Sequence, residues 1–214
     1  MQKRELTREG ILDAYIELLE EKNFDKVTVK ALCTQAGIVR STFYTYFDDI
    51  YEVIQTIEDD LISAFARVDA DSRGREAREE DIKGFGDAHT DWGFPMAPPA
   101  GFCEWFDCCE EHRTYLRAML GPHGDPYFEE KFRRVLTKHV NFLMDSDDMP
   151  NDTLRTGFVE AFVEVHTLLT KNWLLHEHTS LNKDRIGTIL NSMRVGANTM
   201  GYYLDEETTG YLSL

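Results

Sequence analysis

Between residues 11 and 65 apolar side chains recur every three or four positions, interrupted by a polar turn before Thr28 and by Gly37, a rhythm that permits only short, closely packed helices. Ile11, Leu12, Tyr15, Ile16, Leu18 and Leu19 mark one face of an amphipathic helix predicted over residues 7–21, with glutamate and aspartate opposite. Asn23 and Phe24 close it. Thr28 is placed to cap a second helix over residues 29–36, which Gly37 ends. A third short helix is predicted over residues 40–47. A longer one starts near Asp48 and Asp49, whose carboxylates suit the positive end of a helix, and carries Ile50, Val53, Ile54, Ile57, Leu61, Ile62 and Phe65.

Residues 69–91 are highly charged and hold several glycines, which predicts a loop or a frayed helix end. Residues 92–101, with Pro95, Pro98 and Pro99, form a connector that no helix crosses intact. Helical periodicity returns over 102–120, breaks at the Gly-Pro-His-Gly-Asp-Pro stretch 121–126, and resumes over 127–144. After an acidic turn at 145–151, Asp152 or Thr153 caps a long helix to about His176, and a last helix spans roughly 183–204. No segment alternates as a strand does, and no internal repeat is visible. The fold is all-α.

The formal net charge of −16 sets a hurdle for any nucleic-acid partner, because like charge repels phosphate. Its distribution lowers that hurdle. Residues 1–47 hold seven basic side chains (Lys3, Arg4, Arg8, Lys22, Lys26, Lys30 and Arg40) against seven acidic ones, so the whole excess lies in residues 48–214. No run of 18 apolar residues is present, which argues against a membrane span, and the charged N-terminus does not form a signal-peptide core. A cytoplasmic protein is expected, with Cys33, Cys103, Cys108 and Cys109 as free thiols.

Three short helices within 47 residues, with a glycine turn between the second and third, follow the helix-turn-helix plan. Arg40, Ser41, Thr42, Tyr44, Thr45 and Tyr46 put donors on the third helix, while Phe43 and Phe47 share a face that can anchor it. Arginine reads guanine bidentately, hydroxyls bond base edges or phosphates, and a threonine methyl meets that of thymine. Any amphipathic trihelical segment shows similar periodicity, so the pattern alone leaves Tyr44 and Tyr46 open as core or rim aromatics.

The stretch from Phe24 to Phe47 closely resembles the N-terminal domain of TetR/AcrR-family regulators: Phe24, Thr28-Val29, Ala36-Gly37 and the ending Phe43-Tyr44-Thr45-Tyr46-Phe47 fall in the family's order and spacing. The match covers about residues 5–65. The resemblance implies a helix-turn-helix DNA-binding domain over 1–50, a linking helix over 48–66, and a helical C-terminal domain over 51–214 for ligand binding and dimerisation. It also implies that Thr28 caps the second helix beside a phosphate, with Lys30 on that helix at the DNA. Arg40, Ser41, Thr42 and Thr45 would face bases or backbone in the major groove, and Tyr44 and Tyr46 would hold phosphates. Two positions depart from the family: Val39 stands where a capping serine is common, and Ile50 where a phosphate-binding lysine is common.

The same resemblance implies a homodimer that binds a double-stranded DNA operator and answers a small-molecule effector. The dimer surface is assigned to Phe158, Phe162, Val165, Leu169, Ile189, Met193 and Ala197, which recur at helical spacing and could equally form an intramolecular stripe. Candidate pocket residues are Trp105, His112, Tyr115, His139, His166 and Trp173, with Trp92 and Phe94 nearby in sequence; aromatic walls with one or two polar groups suit a hydrophobic or planar molecule. Cys103, Cys108, Cys109 and His112 allow local metal ligation in principle, but the spacing matches no common zinc pattern, and neither metal nor cofactor is expected.

Two other readings compete with a ligand-responsive repressor. A TetR-like regulator that docks on another protein, with weak or no operator binding, would account for the acidic C-terminal part. An all-α enzyme is disfavoured, since no nucleophile–base pair, phosphate-binding glycine loop or metal motif is present.

Overall fold

The computed structural model describes residues 2–73, 100–176 and 181–211, and the side chains within them except those of 2, 3, 69–73, 100, 101 and 201–211. The predicted loop beyond residue 73 and the proline-rich connector up to 99, with Trp92 and Phe94, lie outside the described residues. Every regular element among the described residues is helical: α1 (Gln2–Leu18), a 3-10 turn (Phe24–Lys26), α2 (Val29–Gln35), α3 (Arg40–Phe43), α4 (Ile50–Arg73), α5 (Ala100–Glu111), α6 (Arg113–Met119), α7 (Pro126–Ser146), α8 (Thr153–Leu175) and α9 (Lys183–Tyr211).

Several boundaries differ from the sequence expectation, the start of α1 at Gln2 and the end of α9 at Tyr211 among them. Helix α4 continues to Arg73 through residues expected to fray. The single helix expected over 102–120 is two, because His112 leaves helical geometry at φ −100° and ψ 21°. The third helix is one turn, although hydrogen bonds from the amides of Tyr44, Thr45, Tyr46 and Phe47 carry a helical course to residue 47.

The chain forms two compact units, residues 1–65 with 109–132 and residues 66–108 with 133–214. In the first, Ile11, Tyr15, Leu32, Phe43, Ile57 and Leu116 are among the side chains removed from solvent. Burying such side chains contributes on the order of 1.5–3 kcal/mol each, which is what holds helices as short as α2 and α3. Residues 109–132 join this unit through polar ties as well. The Tyr115 hydroxyl donates to Asp13 at 2.5 Å, the His123 imidazole Nδ1 lies 2.9 Å from the Leu19 carbonyl, and the Phe24 amide donates to the His123 carbonyl at 2.8 Å. Gly124 is required where this loop crosses α6, since a Cβ there would lie 2.0 Å from the Met119 carbonyl oxygen.

The second unit is cored by Phe102, Trp105 and Phe106 of α5, Leu136 and Val140 of α7, Phe162 and Trp173 of α8, and Ile186 and Leu190 of α9. Two buried arginines grip the turn between α7 and α8. Arg155 donates to the carbonyls of Met149 and Asn141 and pairs with Asp145, while Arg194 makes a two-pronged contact with Asp147. Asp152 caps α8 by accepting the Arg155 amide at 2.9 Å. No helix among the described residues is long and apolar enough to cross a membrane.

Candidate nucleic-acid interface

The interface is built from the turn between α2 and α3. The Thr28 hydroxyl accepts the Ala31 amide at 3.2 Å, capping α2. At the other end Gly37 takes φ +64°, and the amides of Gly37 and Ile38 return to the carbonyls of Thr34 and Cys33. This paired closure needs the left-handed region that glycine enters without steric cost. It delivers the chain directly into α3.

One face of α3 and the following turn is spent on anchoring. Phe43 and Phe47 are buried with ring centroids 6.0 Å apart, and Tyr44 meets Phe43 edge-on at 5.3 Å. The other face is open. Arg40, Ser41, Tyr44 and Thr45 are exposed, and Thr42 and Tyr46 are half-buried. Among the described residues neither Arg40 nor Lys30 has an acidic partner, so both cations are available to phosphate or base. The Thr45 hydroxyl instead donates to the Ser41 carbonyl at 3.0 Å, leaving its methyl and an oxygen lone pair to present.

The two family departures have distinct structural consequences. Val39 occupies the N-cap of α3 and supplies no side-chain hydrogen bond, which forgoes about 1 kcal/mol of capping. At the start of α4, Asp49 accepts the Glu52 amide at 2.9 Å and Glu52 reaches back to the Asp48 amide at 2.5 Å. This reciprocal cap occupies donors that a phosphate would otherwise meet, and it places carboxylates beside Ile50.

The proposed ligand residues separate. Trp105, His139, His166 and Trp173 meet in the second unit: Trp105 stacks on His139 at 4.8 Å, Phe106 stacks on His166 at 5.2 Å, and Phe106 meets Trp173 at 6.2 Å. The Thr170 hydroxyl lies 3.2 Å from His166 Nδ1. Burial, reinforced by neighbouring His139, pulls the His166 pKa down to about 3, so this imidazole is neutral. Tyr115 lies in the first unit, where its hydroxyl donates to Asp13, and burial with that bond raises its pKa. His112 also belongs to the first unit, at the break between α5 and α6.

Of the dimer candidates, Phe162 is 1% exposed and packs with Phe158 and His166 inside one chain. Phe158, Val165, Leu169, Met193 and Ala197 are half-buried and Ile189 is exposed. Leu154, Leu168 and Met200 add further exposed apolar groups to α8 and α9. A shallow groove of about 510 Å³ runs along this surface between Leu154 and Phe158 on α8 and Met193 and Ala197 on α9. Cys103 is exposed and the other three cysteines are buried, all as free thiols. No group of three or more histidine, cysteine or acidic side chains among the described residues could hold a metal ion.

A glycine-turned helix pair offering an arginine, hydroxyls and tyrosines on an aromatic anchor has the layout of a helix-turn-helix head. Residues 11–57 match the family described as bacterial regulatory proteins, tetR family. Over 55 residues the chain is 36% identical to the HTH-type transcriptional regulator YvdT of Bacillus subtilis strain 168; the match spans 26% of this chain and 28% of that relative's length. The chain shares its fold with a TetR transcriptional regulator from Streptococcus agalactiae 2603V, with a TM-score of 0.58 and 22% identity over 90% of this chain and 95% of the other. A tetR-family regulator from Streptomyces coelicolor has a TM-score of 0.55 and 17% identity over 96% and 86%. The fatty acid degradation regulator FadR from Bacillus halodurans has a TM-score of 0.58 and 12% identity over 89% and 95%.

Proposed function

We propose that the protein is a homodimeric repressor that binds a palindromic operator and releases it when a small effector occupies the C-terminal unit. The observation that carries this reading is the open face of α3: Arg40 exposed and unpaired among the described residues, with hydroxyls beside it, on a turn fixed by Phe43 and Phe47. Thr28, Lys30, Arg40, Ser41, Thr42, Tyr44, Thr45 and Tyr46 are the groups assigned to DNA. Pairing through α8 and α9 is supported by their half-exposed apolar stripe, and two heads so joined would meet successive major grooves about 34–36 Å apart. The effector reading rests on the ring cluster around His139 and His166, where a planar apolar molecule would find stacking surfaces and imidazole nitrogens.

The test is titration of the full-length protein against DNA from upstream of its own gene and against scrambled duplex, across a salt series. Tight, sequence-selective binding that weakens steeply with salt is expected. Weak binding indifferent to sequence would overturn the operator reading in favour of docking to another protein.

A further inference from the structure

The recognition turn is short of positive charge: the start of α4 is flanked by Asp48 and Asp49, its first turn holds Glu52, and isoleucine stands at residue 50. Cations for phosphate must come from other elements. Among the basic residues of the first helix, Arg8 is drawn to Asp60 at 3.9 Å. Lys26, in the turn that follows, is paired with Asp25 at 2.8 Å. Arg4 differs from both. It is exposed, has no acidic partner among the described residues, and its guanidinium sits 5.8 Å above the ring of Tyr46.

That contact joins residues remote in sequence. Tyr46 is fixed by the hydrogen bond of its amide to the Phe43 carbonyl at 2.9 Å, and Phe43 is buried. The backbone that carries the ring is thereby held, and a planar guanidinium over the ring keeps its N–H fork free at the edges. A lysine ammonium lacks that stacking plane.

We infer that Arg4 is an additional DNA-phosphate contact, held beside the recognition turn by the Tyr46 ring and replacing the charge absent from residue 50. The inference rests on the operator-binding reading above. Arg4 then positions without reading sequence, so it strengthens specific and non-specific binding alike.

The experiment measures binding of wild type, Arg4→Ala and Arg4→Lys to the operator and to scrambled duplex, with salt raised from about 50 to about 200 mM. Arg4→Ala is expected to weaken both duplexes by a similar factor, and its slope of log affinity against log salt to be shallower by about 0.9. Its deficit against wild type then shrinks about 3- to 4-fold across that range. Arg4→Lys is expected to recover the slope with part of the affinity. Unchanged affinity and slope in Arg4→Ala, with wild type binding normally, would overturn the inference. So would a loss confined to the operator with the slope intact, because Arg4 would then only brace Tyr46. If wild type itself shows no salt-dependent binding, the operator reading fails first, a result separable from either of these.

Discussion

Arg194 of α9 and Asp147 of the α7–α8 turn form a two-pronged ion pair at 2.6 and 2.8 Å, with the arginine 1% exposed. Asn191 and Asn198 complete the arrangement, one accepting from the guanidinium and the other donating to the carboxylate. Burial raises the Asp147 pKa despite the opposing pull of Arg194, so desolvation outweighs attraction at this carboxylate. The pair specifies where the turn sits more than it adds stability.

Asp147→Asn, which strands the buried guanidinium, is accordingly expected to cost about 3–5 kcal/mol. The double variant Asp147→Leu with Arg194→Met is expected to cost less than the single one. Denaturant unfolding of the three proteins checks this, and additive losses would refute it.

Arg40→Ala is expected to weaken specific operator binding by about 1–3 kcal/mol while leaving unfolding unchanged, since the side chain is exposed and makes no internal bond among the described residues. Binding isotherms against operator and scrambled DNA decide it. Equal affinities for wild type and variant would remove Arg40 from readout.

His166 gives the second unit a pH dependence of definite sign. Its native pKa of about 3 lies below the ordinary histidine value of 6.5, so between these limits the unfolded chain binds a proton that the native state does not. Its contribution to stability is full above pH 6.5 and falls as pH drops, by about 1.4 kcal/mol per pH unit. Unfolding free energies measured from pH 4 to 7 should decline less steeply in His166→Phe than in wild type. Parallel curves would contradict this origin.

Charged residues on the apolar stripe separate the dimer assignment from a core assignment. Leu168 is 60% exposed in one chain, so Leu168→Glu should leave the monomer folded but shift sedimentation from dimer to monomer and weaken operator binding. A wild-type protein that sediments as a monomer would exclude pairing through α8 and α9.

Val39→Ser offers the missing N-cap of α3. An added hydroxyl acceptor is expected to raise stability by about 0.5–1 kcal/mol, read as a higher denaturant midpoint at constant slope.

Local rules fix much of the head from the sequence alone. Thr28 caps, Gly37 turns, and the four-residue spacing of Phe43 and Phe47 decides which face of α3 is anchored, because each depends on neighbours within one or two helical turns. The all-α class follows from the same periodicity. Tertiary structure alone decided the rest. Periodicity marks Phe162 and Val165 equally as apolar, yet only packing makes the first core and leaves the second half-exposed. The same holds for Tyr115 bound to Asp13, for Arg4 on Tyr46, and for the buried Arg155 and Arg194. These pairings join residues distant along the chain, and their energies depend on which surfaces meet and exclude water, a quantity that residue spacing within one helix does not contain.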